Sequence, residues 1–426
     1  MTFIEHLKTY LNDEEIDSLM KSLNDESKHA VLLNPSKMND EEFLSLYPHA
    51  VKHPIVNHAY IYDKNKYDLG KSVWHTLGCF YLQEPSAMIP AYLLSPKKGE
   101  VVLDLCAAPG GKSVQASFLM ENDGLIISND LSKSRAFSIL ENVERLGIGN
   151  VIITNNDFSL INEKFNNFFD KIILDAPCSG SGMFRKEDKM RDDWSYNKVL
   201  KFSEIQKEMI LYAYSMLKEG GTMVYSTCSF SFEEDEQVIK YLLDHSDAEM
   251  MNIEDNEHYY VFKKLPLGVH LFPSRFSGEG HYIALIKKPG VSHPHKVDNK
   301  NLNPKYKEIY IDSRLHHFED YGGVIFSLPM YIKLPNCLNI IRKGVKIFEW
   351  NNGNYRYDYH YSHYLEQFPN ISRLDEDNLY KYMRGEQILC ACTRGYILLI
   401  FKNVPLSFGK SDGKVIKNHF PKGLRR

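Results

Sequence analysis

The sequence predicts an α/β protein: a parallel β-sheet with helices on both faces, a small α+β region before it and a mostly β part after it. Three features of the chain carry this. From about 71 to 288, short runs dense in Val, Ile and Leu alternate with amphipathic stretches of helical period. That is the pattern of a parallel sheet buried on both faces. Residues 1–70 mix helical and strand-like pieces without the alternation. The stretch 287–304 is rich in Pro, Asn and Lys and lacks periodicity, so it reads as a linker, and short aromatic strand-like pieces follow it. The divisions predicted are 1–70, 71–288, a linker over 289–304, a small module over 305–375 and a last module over 376–426.

Taken in order, 1–24 reads as one or two helices with polar breaks. AVLLN (30–34) and HAYIYD (58–63) are strand-like around a helical NDEEFLSLY. EVVLDLC (100–106) is a strand, GKSVQASFLM (111–120) a helix and LIISND (125–130) a strand. A helix over 132–147 has apolar residues at helical spacing and a glycine stop. VIITNND (151–157) and KIILDAP (171–177) are strands; a long helix over 198–218, the strand TMVYSTC (222–228) and a helix over 233–245 complete the alternation. Beyond the linker, GGVIFSL, GVKIFEW, QILCACT and YILLIFK read as strands.

With 426 residues the chain can bury a sizeable core. Its apolar (43%) and charged (25%) fractions are ordinary for a globular protein, and the run at 396–401 is far too short to span a bilayer. The acidic, amphipathic N-terminus has no basic segment leading an apolar one, so no signal peptide is expected. Seven scattered cysteines do not form a disulfide framework. A reducing cytoplasm, no membrane and a monomer are the expectations. The net charge of −4 is unevenly spread: 402–426 holds seven basic residues (Lys402, Lys410, Lys414, Lys417, Lys422, Arg425, Arg426) against Asp412. Such asymmetry suits a local anionic partner, although a solvated basic end gives the same pattern.

Chemistry is expected beyond the carboxyl ends of the parallel strands, where ligands sit in such sheets. LDLCAAPGGKSVQ is not a P-loop, because Cys106 stands where the first glycine is needed, and it is not a G-x-G-x-x-G turn. It is a tight small-residue loop that lets a ligand approach the backbone. Asp130 ends the next strand, placed for a ribose diol, and Asp157 follows the third, placed for a base edge. Read alone, either acid is also an ordinary helix cap or turn residue. Together with the loop they suit an adenosine-bearing cofactor that needs no phosphate cradle, and S-adenosylmethionine fits. Cys178 and Cys228 both end strands on this edge, where a ligand-facing role outweighs packing. A thiol near its ordinary pKa of about 8.5 needs a base or an electropositive setting to attack.

LDLCAAPGGKS, ISNDLS, LDAPCSGSGMFRK and YSTCSF, in this order, resemble the motifs of the Nol/Nop/Sun-type RNA cytosine-5 methyltransferases, and WHTLGCFYLQEPSAM (74–88) resembles the lead-in to their catalytic domain. KSDGKVIKNHFPKGLRR resembles the end of the bacterial RsmF-like branch, which acts on small-subunit ribosomal RNA. The likeness is strong over about 74–288 and the last thirty residues and weaker over 1–70 and 305–375; Ser113 stands where Thr is common.

The resemblance implies a Rossmann-like S-adenosylmethionine-dependent methyltransferase sheet, an N-terminal RNA-binding region and a PUA-like C-terminal RNA-binding module. It implies that Cys228 is the nucleophile, that Cys178 assists product release, that Asp175 hydrogen-bonds the cytosine and that Lys112 orients the reactants or stabilises charge. Cys106, Ala107, Ala108, Pro109, Gly110, Gly111 and Lys112 would hold the methionine part of the cofactor, with Asp175 beside it. Asp130 would hold the ribose and Asp157 the adenine. Arg185 and Lys186 would meet phosphates flanking the target, and Lys417, Lys422 and Arg425 would bind RNA from the tail. The substrate implied is 16S ribosomal RNA or the small subunit; transfer RNA, or a non-catalytic role in ribosome assembly, are the alternatives. No metal is expected: Cys390 and Cys392 alternate with apolar neighbours and have no His at ligand spacing. The aromatic run 354–364 suits either base stacking or core packing.

Overall fold

The central sheet of the computed structural model follows from one pattern, strands apolar on both faces. The structure describes residues 1–186, 188–390 and 392–425. Strand Val101–Asp104 pairs in parallel with Leu125–Asn129 on one side and Phe169–Asp175 on the other. Val151–Thr154 and Leu217–Thr227 extend these two flanks, again in parallel. The chain therefore reverses its direction of travel across the sheet beside Val101–Asp104, and a crevice opens there at the carboxyl ends. Side-chain alternation divides the core in two. Leu103, Ile127, Ile152 and Leu174 pack on one face, and Val102, Ile126, Ile153 and Ile173 on the other.

Antiparallel strands that the sequence did not announce flank the five parallel ones on both sides. Tyr282–Lys287 lies along Leu217–Thr227, and Ile340–Lys343 lies along Val151–Thr154. The second comes from the segment read as a separate module. It is short and only half-buried, and nothing local marks it as a partner for a strand nearly two hundred residues earlier.

Helices Phe3–Leu7 and Asp13–Ser22 each begin in a capping box, Thr2 with Glu5 and Asn12 with Glu15. They pack on Phe184, Phe230, Phe262 and Phe272. Tyr10 Oη donates to the carbonyl of Phe230 at 3.0 Å, so the turn between the two helices braces the loop that follows Cys228. A four-stranded antiparallel sheet follows, ordered Val51–Lys52, Ala59–Tyr62, His29–Leu33, Phe80–Gln83. Its residues Val31 and Phe80, with Phe43 of helix Asp40–Leu46, share one core with Tyr382, Leu399 and Leu406 of the C-terminal part.

The C-terminal part holds a four-stranded sheet from His317 to Tyr357 and a five-stranded sheet built on Gly395–Phe401 and Val404–Ser411. The aromatic run is core: Tyr357, Tyr361 and Tyr364 are buried, and Tyr357 stacks on Phe408 at 4.6 Å. Of 387–393, only Ile388–Leu389 is strand; Cys390 and Cys392 are free and half-buried, and Ala391 lies outside the described residues, as does Arg426 of the basic tail. Among the described residues no helix is long and apolar enough to cross a membrane.

Candidate active site

Parallel strands Phe169–Asp175 and Leu217–Thr227 run side by side with Asp175 opposite Ser226. Their carboxyl ends therefore deliver Cys178 and Cys228 to one place, with the two Sγ atoms 3.2 Å apart. Asp175 Oδ2 accepts from Lys112 Nζ at 2.7 Å and Oδ1 accepts from Ser226 Oγ at 2.7 Å. Burial opposes the Asp175 charge, but the Lys112 ammonium and the hydrogen bonds from Lys112 and Ser226 outweigh it and hold the carboxyl below its usual range. Burial likewise opposes the Lys112 ammonium, and Asp175 reverses the sign, so the lysine stays charged above its ordinary value. The pair is a fixed dipole, largely buried on the lysine side, and a preorganised dipole of this kind can stabilise charge that develops next to it. The Cys228 thiol beside it, together with burial, pushes Cys178 well up, so Cys178 stays protonated.

A buried carboxylate ties the two cysteine loops together. Glu234 accepts from Ser179 N at 2.7 Å, from Ser179 Oγ, and from Ser229 Oγ at 2.6 Å. Gln206 Nε2 donates to Pro177 O at 2.8 Å and to Glu234. Gly182 N donates to Cys228 O at 2.8 Å; a Cβ at Gly182 would lie 2.9 Å from that oxygen, so only glycine lets the loops touch. Glu234→Gln leaves one oxygen for four donors. It should lower kcat about 10–100-fold with little change in KM for RNA, and cost about 1–3 kcal/mol of stability. Steady-state kinetics beside urea unfolding check this; an unchanged kcat would remove the positioning role.

On the other side of Asp175 lies the small-residue loop. Gly110 has φ of +107° and starts helix Gly111–Leu119 with Ile139 packed against its backbone, a conformation that favours glycine. Asp130 pins the loop to the second strand: Oδ2 accepts from Ala108 N at 3.2 Å and Oδ1 from Ser132 N at 2.9 Å. Asp104 Oδ2 accepts from Ser113 Oγ, while its buried Oδ1 has no partner, and burial lifts the carboxyl to about 7. Burial also pushes the Cys106 thiol far up, which leaves it inert as a nucleophile.

The structure thus brings Cys178, Cys228, Asp175, Lys112 and the 106–111 loop together, with Asp130 behind the loop. Asp157 lies three strands from Asp175, exposed, and its Oδ1 caps helix Phe158–Lys164 through Ser159 N at 2.9 Å. Lys417, Lys422 and Arg425 are exposed on the C-terminal module.

Arg185 is a correction. Its side chain is only 3% exposed, pairs with Glu279 at 2.9 Å and donates to the carbonyl of Gly278. It is an internal anchor, its guanidinium already committed to Glu279 and the Gly278 carbonyl. Lys186 next to it is exposed. Sequence reading also missed Ser226, Glu234 and His281. Ser226 lies two residues before Cys228, within the strand-end motif itself. Glu234 was hidden in the acidic run 233–236, and His281 in an unremarkable GEGHY. His281 Nε2 is 4.0 Å from Asp175 Oδ1, and burial and Lys112 lower its pKa, which keeps the ring neutral.

A parallel sheet of this order, closed by an antiparallel strand and carrying a dithiol, a carboxylate–lysine pair and a glycine loop at its switch point, defines a Rossmann-like methyltransferase. Comparison with known proteins narrows the class. Residues 91–287 match the model of the 16S rRNA methyltransferase RsmB/F family, 1–85 that of the N-terminal domain of 16S rRNA methyltransferase RsmF, and 369–426 that of the methyltransferase RsmF PUA domain. The ribosomal RNA small subunit methyltransferase F of Vibrio vulnificus is 28% identical over 100% of this chain and 97% of its own length. That of an Enterobacter species is 30% identical over 85% of this chain and 81% of its own length. A tRNA (cytosine(49)-C(5))-methyltransferase of Pyrococcus abyssi is 38% identical, but over 54% of this chain and 75% of its own length. The chain belongs to the RsmB/F methyltransferase family.

Proposed function

We propose that this chain methylates carbon 5 of a cytosine in 16S ribosomal RNA through a covalent Cys228–cytosine adduct, with S-adenosylmethionine as methyl donor. The observation that carries it is the meeting of Cys178 and Cys228, with sulfurs 3.2 Å apart, beside the charged Asp175–Lys112 pair. The residues present fit the cofactor. The 106–112 backbone with Gly110 gives close approach, Asp130 retains acceptor capacity beyond the two amides it serves, and the partnerless Asp104 Oδ1 offers an acceptor to an ammonium group. Asp157 is assigned to the adenine edge. When bound, S-adenosylmethionine supplies the electrophilic methyl group.

The chain's own residues do the rest. Carbon 5 of cytosine is a poor nucleophile until carbon 6 is attacked. Cys228 as thiolate adds to carbon 6, and the ring electrons move toward carbon 5. The Asp175 carboxylate accepts from the exocyclic amine and fixes the base, while Lys112 stabilises negative charge that develops on the ring. After methylation a solvent base takes the carbon-5 proton, the electrons of that C–H bond restore the ring double bond, and Cys228 leaves as the thiolate; Cys178, adjacent and protonated, hydrogen-bonds the departing sulfur and so assists its release. The target must be unstacked to enter the crevice. The end-to-end match to the small-subunit enzymes favours ribosomal over transfer RNA, because the transfer-RNA relative shares only about half of the chain. The protein acts as a monomer in the cytoplasm, on ribosomal RNA or the small subunit. Mapping 5-methylcytosine in a strain lacking the protein tests this. Loss of a mark from 16S RNA, restored by the purified chain, is expected; loss from transfer RNA alone would overturn the substrate.

A further inference from the structure

We propose that the cleft between the N-terminal four-stranded sheet and the loop following Cys178 is a subsite for the RNA strand beside the target cytosine, holding a flanking nucleotide and its phosphate. This rests on the RNA-directed reading above and names where the strand runs. The cleft has a volume of 320 Å³ and is lined by Lys28, His29, Tyr62, Lys64, Gln83 and Lys186 among others. It continues into an outer hollow of 660 Å³ that shares Lys28, His29, Tyr62 and Lys64. Volumes of this size match pockets that enclose small ligands, about 300–1,000 Å³.

Charge favours an anion. Lys28, Lys64 and Lys186 come from three separate parts of the chain and are all exposed; among the described residues none of them forms an ion pair. Each acid of the inner cleft is engaged through at least one oxygen, although Glu279 Oε1 is buried without a hydrogen-bond partner. Asp68 pairs with Lys71 at 2.9 Å and Glu279 with Arg185 at 2.9 Å. Glu84 accepts from Ser86 N, Ser86 Oγ, Ala87 N and Glu279 N. Glu26 and Asp63 belong only to the outer hollow. The His29 ring is held neutral by burial and by the charges of Lys64 and Lys186, and it lies 6.0 Å from the Tyr62 ring, so flat neutral rings stand among the cations. Cations interleaved with stackable rings are the composition of single-strand sites.

Position ties the cleft to the reaction. Its wall residue Glu84 holds Ser86, Ser86 Oγ meets His281 Nδ1 at 3.0 Å, and His281 Nε2 lies 4.0 Å from Asp175. Gln83 abuts the cofactor loop: a Cβ at Gly111 would lie 2.8 Å from its Nε2. The inner wall of the cleft is therefore the outer wall of the crevice. The buried Arg185–Glu279 pair explains how Lys186, in the same loop as Cys178, is presented to the cleft: the arginine is the anchor and the lysine the contact.

The test uses the full chain, an unmodified 16S transcript, and a triple variant Lys28→Gln, Lys64→Gln, Lys186→Gln, with the thermal midpoint confirming the fold. Affinity is measured by anisotropy between about 50 and 200 mM salt. Each lost phosphate contact should flatten the slope of log K against log salt by about 0.7 for a single strand, and KM for RNA should rise about tenfold or more while kcat falls less. An unchanged slope and KM in the triple variant would overturn the subsite and leave the methyltransferase reading standing. If the unsubstituted chain methylates no cytosine yet the triple variant flattens the slope, the enzymatic reading fails and the subsite stands. An unchanged RNA slope with lost affinity for an acidic protein surface of the subunit would also overturn it.

Discussion

Replacing Cys228 with alanine abolishes methyl transfer, a loss on the order of 10⁴-fold or more, while the chain stays folded and binds RNA. The size follows from the chemistry. Without addition to carbon 6 there is no electron-rich carbon 5, so a well-placed donor and a well-held base have nothing to react. The structural cost is small because the links that shape this loop do not use the thiol. Gly182 N still meets the main-chain oxygen of residue 228, Ser229 Oγ still donates to Glu234, and Phe230 N still donates to Ser181 Oγ. Labelled methyl transfer to 16S RNA, alongside the thermal midpoint, separates the chemical loss from unfolding. Residual transfer within about tenfold of the unsubstituted chain would mean another residue attacks.

Asp175→Asn is the second large effect, expected to lower kcat by about 10²–10³-fold. The amide still accepts from Lys112 but carries no charge, so the dipole that steadies the base is lost and the Lys112 ammonium, 9% exposed, is left without its counter-ion. Stability falls with activity, because removing one partner of a largely buried pair costs more than the pair itself contributes. The sign with pH is definite. The folded Asp175 titrates below its ordinary value, so its contribution is complete above that value and lost only as pH falls through the lower folded one. The stability gap between the two chains should hold from about pH 5 upward and close in strong acid. Urea titrations across pH check this, and a gap that opened only near neutrality would contradict the assignment.

The parallel strands were legible because burial on both faces leaves runs such as VVLD and KIILD with hardly a polar residue. The meeting of Cys178 and Cys228 was legible for a related reason: both follow adjacent parallel strands, and parallel strands deliver their ends to one edge. Arg185 shows the limit. Its place after a Gly-Ser-Gly turn says it is near the site, but whether it faces solvent depends on Glu279, ninety-four residues away. Glu234 and His281 were missed for the same reason, since each acquires its part from residues that meet only in the fold. The antiparallel edge Ile340–Lys343 was illegible because a half-polar four-residue strand takes its identity from its neighbour. The aromatic run 354–364 was compatible with two readings, and packing on Phe408 decides for core.

The central claim is that the two sulfurs serve opposite ends of one covalent cycle, Cys228 forming the bond and Cys178 helping to break it. Incubating Cys178→Ala with S-adenosylmethionine and unmodified 16S RNA, then resolving the mixture under denaturing conditions, tests it most directly. A stable protein–RNA adduct is expected, its cross-linked peptide containing Cys228, and it disappears in the chain lacking both thiols. An adduct through Cys178 in the Cys228→Ala chain, with none in Cys178→Ala, would reverse the roles and contradict it.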